Sequence, residues 1–167
     1  QVVIMDHGSI EQAGHPRTIY DEPHSPYVAR FMGGQNVIFG KVGGSANGAT
    51  QIADAFGNNF SIDGSADLGG RSEIALAVRR DAIELADPGA KAENVIGGEI
   101  RSIEYQGTFV KVALKTAQKD EFLVYQTDRN FFAKPRRVGE QVAAVWPRDR
   151  NRFLKGTNNS SGNPTGD

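Results

Sequence analysis

The sequence contains no cysteine, which excludes a disulfide framework and a thiolate zinc site and fits a reducing cytosol. It has no excess of either charge: 19 Lys and Arg stand against 20 Asp and Glu, so the strongly basic footprint of a dedicated nucleic-acid binder is missing. No apolar run approaches the roughly 18 residues that a helix needs to cross a bilayer. The three histidines show no His-x-His or His-x-x-x-His spacing and compose no metal site. There is no P-loop, seryl elbow or paired Gly-x-Gly-x-x-Gly, and "GQNVIFGKVGG" lacks the strand–loop–helix order of a phosphate cradle. No catalytic, cofactor-binding or metal-ligating residue is therefore assigned.

What is present in quantity is glycine, 20 residues in 167, which favours many turns over long helices. Val2-Val3-Ile4-Met5 reads as a buried strand, Asp6-His7-Gly8-Ser9 as a turn, and Ile10 to Gly14 as a short return strand. His7 belongs to that turn rather than to catalysis. Pro16 opens a helix of about two turns that Pro23 ends. Ser25 and Pro26 repeat the device as N-cap and first helical residue, and Gly33-Gly34 stops the second helix. Tyr27, Val28, Phe31 and Met32 make one apolar stripe on it. Helices this short need a body to pack against.

From Asn36 onward the pattern is short strands between glycine turns. In "TFVKVALK" Val110, Val112 and Leu114 alternate with Lys111, Ala113 and Lys115; in "EQVAAVW" Val142, Ala144 and Trp146 share a face. Such strands at this spacing predict a mainly β fold, a small barrel or sandwich of short antiparallel strands. After Leu154 the polar "KGTNNSSGNPTGD" reads as a disordered tail over 156–167.

Two constellations carry charge. Arg129, Lys134, Arg136 and Arg137 lie near Phe131 and Phe132, and Arg148, Arg150 and Arg152 lie near Trp146. Cations interleaved with aromatics can bind single-stranded nucleic acid on an OB barrel. In the plainer reading the aromatics plug the core and the arginines form a solvated rim, diluted by Asp128, Glu140 and Asp149. In "AVRRDAIELAD", Arg79-Arg80-Asp81 is either a charged turn between two strands or an interface of guanidinium forks. The sequence leaves both open.

Residues 2–38 resemble the end of an ABC importer ATPase domain. The matching pieces are Ile10 to Gly14, Pro16, Tyr20 to Pro23, Val28 to Gly33, and Asn36. "LAVRRDAIEL", "GGEIRSIEYQGTFVKVAL" and "VGEQVAAVWPRDRNRFL" are similar to the TOBE module, the OB-like domain that follows such ATPases. Arg80 and Asp81 stand where that family usually has Pro-Glu. The resemblance implies that residues 1–35 are a remnant of an α/β ATPase domain and residues 36–155 an OB-like TOBE regulatory domain. It implies a regulatory and dimerisation region of a subunit whose ATP, Mg and catalytic residues lie upstream, so that the parent is an ATPase and this fragment alone is not an enzyme. His7 is not that family's switch histidine. The implied partners are a second copy through the TOBE region, membrane permease subunits and, indirectly, a solute-binding protein, with no nucleic acid. The implied place is the cytoplasmic face of the cell membrane. A polyamine is the cargo the resemblance favours, with ferric iron, sugar or sulfate as others. An oxyanion-binding module is a further reading of an OB-like barrel. Val2 to Ile4 are expected to complete the absent ATPase sheet, leaving Val2, Ile4, Tyr27 and Phe31 as an exposed apolar patch.

Overall fold

The computed structural model describes residues 1–64 and 70–156. The expected tail therefore lies outside the described residues, apart from Gly156. The chain opens with a hairpin of β1 (Val2–Asp6) and β2 (Ser9–Gly14), a two-stranded antiparallel sheet by itself. His7 and Gly8 both have positive φ, 46° and 83°, as a two-residue turn demands when its twist must match the strands. That is the whole structural role of His7, whose Nδ1 lies 2.7 Å from Asp6.

Helices α1 (Pro16–Asp21) and α2 (Pro26–Phe31) follow, each with proline in the first turn. His15 caps α1 by accepting from the Arg17 amide, and Ser25 caps α2 by accepting from that of Val28. Ile4, Ile19 and Val28 form a small apolar cluster between hairpin and helices, with Val2, Tyr27 and Met32 against it. The expected exposed patch is thus partly corrected. Strand alternation turns Ile4 inward onto the helices, while Val3 and Met5 face out, with Ile10 and Phe31. β1 pairs with β2.

The rest is a barrel. Strands β3 (Gln35–Ala46), β4 (Ala49–Ala53), β5 (Asn59–Asp63) and β6 (Glu73–Arg79) lead to a 3₁₀ turn, Arg80–Ala82. Then come β7 (Glu84–Ala86), β8 (Asn94–Tyr105), β9 (Phe109–Lys115) and β10 (Phe122–Thr127). Helix α3 (Asp128–Ala133), β11 (Gln141–Trp146) and β12 (Asn151–Leu154) complete it. Two five-stranded antiparallel sheets result, in the orders β10-β9-β8-β11-β7 and β12-β6-β3-β4-β5. The mainly β, OB-like expectation is met. The alternating residues do what their period dictates: Val110, Val112, Leu114, Val142, Ala144 and Trp146 all enter one core with Ile38, Ile52, Phe60 and Leu76 of the facing sheet. Trp146 stacks between Phe60 and Phe122, with ring centroids 5.9 and 5.8 Å away.

Hydrophobic faces alone leave the sheets free to slide, and three buried asparagines fix them. Asn94 Oδ1 accepts from the Ser61 amide at 2.8 Å and from Asn151 Nδ2 at 3.2 Å, while its Nδ2 donates to the Trp146 carbonyl. Asn151 Nδ2 also donates to the Ser61 carbonyl at 2.7 Å, and its Oδ1 accepts from Trp146 Nε1 at 2.8 Å. This network joins β5, β8, β11 and β12. On β3, the Asn36 side chain donates to the Leu123 carbonyl at 2.8 Å and accepts its amide at 3.0 Å, imitating a strand neighbour for β10. The unit α1–α2 seats on the barrel through Ala29, which packs with Ala75, Ala77 and Leu154. Gly156 donates its amide to the His24 carbonyl at 2.7 Å.

Replacing Asn94 by Ala strands the Ser61 amide and the Trp146 carbonyl in the interior. Each buried group left unpaired costs roughly 1–3 kcal/mol. A loss of about 3 kcal/mol is expected in urea unfolding followed by Trp146 fluorescence, whereas Lys91→Ala at an exposed loop position should change stability far less.

Candidate functional site

The first basic cluster is built around α3, which the sequence reading did not anticipate. Thr127 caps it by accepting from the Asn130 amide, and Asp128 sits in its first turn, so a Thr-Asp pair was the available signal. The helix sends Phe131 into the core and leaves Phe132 outside beside Tyr105, their centroids 6.3 Å apart. Arg136 is buried, and its Nη1 donates to Asp87 at 2.9 Å and to Glu140 at 2.7 Å. Lys134 reaches the other Asp87 oxygen at 2.7 Å, and the Arg137 amide holds the second Glu140 oxygen. Burial opposes the charge on Arg136, but its bonds to Glu140 and Asp87 outweigh that and hold the guanidinium above its ordinary value. The hydrogen bonds from Lys134 and Arg136 in turn hold Asp87 below the usual carboxylate range, and that from Arg136 does the same to Glu140.

The second cluster is no freer. Arg148 lies 3.2 Å from Asp63 and 3.5 Å from Glu93, Arg150 lies 3.7 Å from Asp149, and Arg152 donates to the Asp149 carbonyl. Trp146 is fully inside the barrel. Of the two readings of these clusters, the geometry matches the plainer one: Phe131 and Trp146 are core plugs, and most of the cations around them are committed to acids. The structure does not bring the two clusters into one stacking surface.

Arg79 and Arg80 form a different arrangement. Arg79 makes a two-pronged bond to Asp81, Nε–Oδ1 3.0 Å and Nη2–Oδ2 2.8 Å, and Nη1 reaches Asp21 of α1 at 2.9 Å. Its guanidinium stands 5.1 Å above the Tyr20 ring. The bond to Asp81 holds Arg79 well above its ordinary value and Asp81 below its own. Arg80 Nη1 donates to the Gly33 carbonyl and, at 2.9 Å, to the Tyr125 hydroxyl. Both sequence readings of this stretch hold together: it is a charged turn between strands, and its forks grip an interface, one internal to the chain. The partners Tyr20, Asp21, Gly33 and Tyr125 escaped sequence reasoning because they lie 45 to 59 residues from the arginines that bind them.

A concavity of about 1250 Å³ lies on the outer face of β3 and β6 beside α2. Phe39 and Ala75 form part of its lining and Arg30, Lys41, Arg71, Lys119, Glu73 and Asp120 also line it. Arg30 is paired with Asp120 at 2.8 Å, so this mixed rim concentrates no single sign of charge. Among the described residues, no group of three His, Asp or Glu side chains could hold a metal, and no helix is long and apolar enough to cross a membrane.

A family model described as the TOBE domain matches residues 76–154. The sulfate/thiosulfate import ATP-binding protein CysA of Burkholderia mallei is 34% identical over 149 residues, 87% of this chain and 39% of CysA. The spermidine/putrescine import ATP-binding protein PotA of Trichodesmium erythraeum is 31% identical over 133 residues, 75% of this chain and 35% of PotA. The chain is a homologue of ABC importer ATP-binding subunits and carries a TOBE domain over residues 76–154.

It spans well under half the length of those relatives. The TOBE match begins inside β6, whereas the barrel begins at Gln35, so the family model covers only the later part of the barrel. Among solved structures, the cytoplasmic molybdate-binding protein ModG, in its molybdate-bound form, superposes with a TM-score of 0.61 at 18% identity. The superposition covers 72% of this chain and 96% of ModG and shows a shared fold.

The ion pairs of the TOBE domain make its stability sensitive to acid. Asp87 and Glu140 have folded values below their unfolded ones, so the pairs stabilise fully above roughly pH 4, the ordinary carboxylate range. That contribution disappears as the pH falls below this range through the depressed folded values. The double variant Asp87→Asn/Glu140→Gln is expected to be less stable than wild type at pH 7 and to lose less stability on going to pH 2.5. Thermal melts across that range give the comparison.

Proposed function

We propose that this chain is the regulatory and dimerisation region of the ATP-binding subunit of an ABC importer. Residues 1–35 are the end of the ATPase domain and residues 36–155 the TOBE domain. One observation carries this reading. The similarity to CysA runs over 149 residues, 87% of the chain, and so extends well ahead of the TOBE segment 76–154, past β3 and into the helical unit before it. The exposed residues Val3, Met5 and Ile10 on the outer side of that hairpin support it, since an apolar face of this kind suits packing against a further layer of the same domain. ATP and Mg belong to the upstream domain on this reading. The subunit works at the cytoplasmic face of the membrane against permease subunits, and the barrel pairs with that of a second copy. Polyamine is the proposed cargo class, with sulfate the competing one that the CysA relative brings.

Two measurements test this. The purified chain is expected to sediment at twice its 18.0 kDa mass, and a monomer at tens of micromolar would remove the dimerisation role. The complete subunit with its permease, in vesicles, is expected to drive ATP-dependent uptake of labelled spermidine. Uptake of sulfate instead would reassign the cargo, and uptake of neither would reject the importer reading.

A further inference from the structure

Three parts of the molecule meet at the turn Arg79–Asp81: the end of β6 in one sheet, β10 in the other, and the α1–α2 unit. Consecutive arginines there face two ways along that unit. Arg79 holds α1, by Asp21 at 2.9 Å and by the face of Tyr20. Arg80 holds the link after α2, through its amide to the Gly34 carbonyl at 3.0 Å and its side chain to the Gly33 carbonyl, and it ties both to β10 through Tyr125. Its guanidinium also stands 5.5 Å from the Tyr125 ring. Gln35 adds a bond from Nε2 to the Tyr20 carbonyl at 2.7 Å. The link passes so close beneath Tyr20 that a Cβ at Gly34 would lie 2.2 Å from its hydroxyl.

Neither arginine belongs to the apolar core, so removing them takes nothing from the packing that folds the barrel. The joint is also incompletely bonded: Arg80 Nε and Gln35 Oε1 are buried with no hydrogen-bond partner. Orphaned groups of this kind weaken the seat relative to a saturated one and leave bonds to be gained in another arrangement. A joint that is specific, polar and unsaturated suits a contact that must be re-seated rather than merely kept.

We propose that Arg79 and Arg80 are positioning residues that lock the hairpin–helix unit in one orientation on the barrel and carry the barrel's state to it. This rests on the regulatory reading above. The lock is a pair of guanidinium groups, Arg79 forked onto Asp81 and Asp21 and Arg80 bonding through Nη1 alone, each tied to groups on both sides of the joint, and Tyr20, Gly34 and Tyr125 are its seat. Lysine at position 80 keeps the charge, but it is one atom shorter and has no planar guanidinium beside the Tyr125 ring, so it holds the joint only in part.

Hydrogen exchange on the full 167-residue chain tests the lock directly. In Arg79→Ala/Arg80→Ala, amides of residues 2–34 are expected to exchange about tenfold faster than in wild type, while those of β8, β9 and β11 stay unchanged. Arg80→Lys is expected to fall between. Unaltered Trp146 emission shows that the barrel remains folded in each variant. Equal acceleration in both parts, or none in either, overturns the lock. The second readout is uptake per ATP hydrolysed by the complete subunit with its permease. Arg80→Ala is expected to lower that ratio severalfold with the KM for ATP unchanged. Faster exchange with an unchanged ratio overturns the transmission role while leaving wild-type uptake, and with it the importer reading, intact. Absence of uptake by the wild type sinks the importer reading, and the exchange result still decides the lock.

Discussion

Three asparagine side chains hold together what the hydrophobic effect only brings near. Apolar burial is non-directional, so the faces of two five-stranded sheets would tolerate several mutual offsets. Asn94 and Asn151 select one of them by bonding to backbone groups of β5 and β11 and to the Trp146 indole, all inside the barrel. Asn36 does the same at another junction by completing the ladder of β10. Every other feature depends on this closure. It fixes Trp146 between Phe60 and Phe122, and it sets the end of β6 beside β10, where the arginine turn can reach both a strand and the helices. A fully satisfied buried polar network confers uniqueness as much as stability.

The surface follows a different economy. The cations that dominate the later part of the sequence are mostly spoken for by carboxylates a few residues away or on a neighbouring strand. Arg136 is the extreme case, buried between Asp87 and Glu140. Such pairs shape loops and edges and confer little net stability at exposed positions. They leave the polar specificity of the molecule concentrated at the joint with the hairpin–helix unit. There aromatic faces, two arginines and a glycine pair meet in one place.

Much of the barrel was legible because its strands obey a period of two and end at glycine, asparagine or proline. Val110, Val112 and Leu114, or Val142, Ala144 and Trp146, declare their face without any tertiary information. The helix boundaries at Pro16, Ser25 and Gly33 were legible for the same local reason. What stayed hidden depends on distance along the chain. An asparagine at position 94 or 151 looks like a turn residue until its partner strand is known. Arg79 and Arg80 looked like either a turn or an interface because nothing nearby names Tyr20 or Tyr125. Helix α3 was missed because six residues give too short a periodic signal to outweigh the surrounding strands. In the expected apolar patch Phe31 is exposed and Val2 and Tyr27 are half-buried, but Ile4 turns inward and Val3 and Met5 face out in its place.

The closing strand has a temporal meaning as well as a spatial one. β12 pairs with β6, Asn151 pins the tryptophan, Leu154 packs under Ala29, and Gly156 bonds back to His24. On the ribosome, β3 to β6 emerge long before these residues do and must wait with one flank uncovered. Synthesis proceeds at roughly 5–20 residues per second, so that flank stays open for several seconds before the final strand arrives to seal it. Helices α1 and α2 are thus tied down by a strand made more than a hundred residues later, and their seat on the barrel is among the last contacts of this region to form.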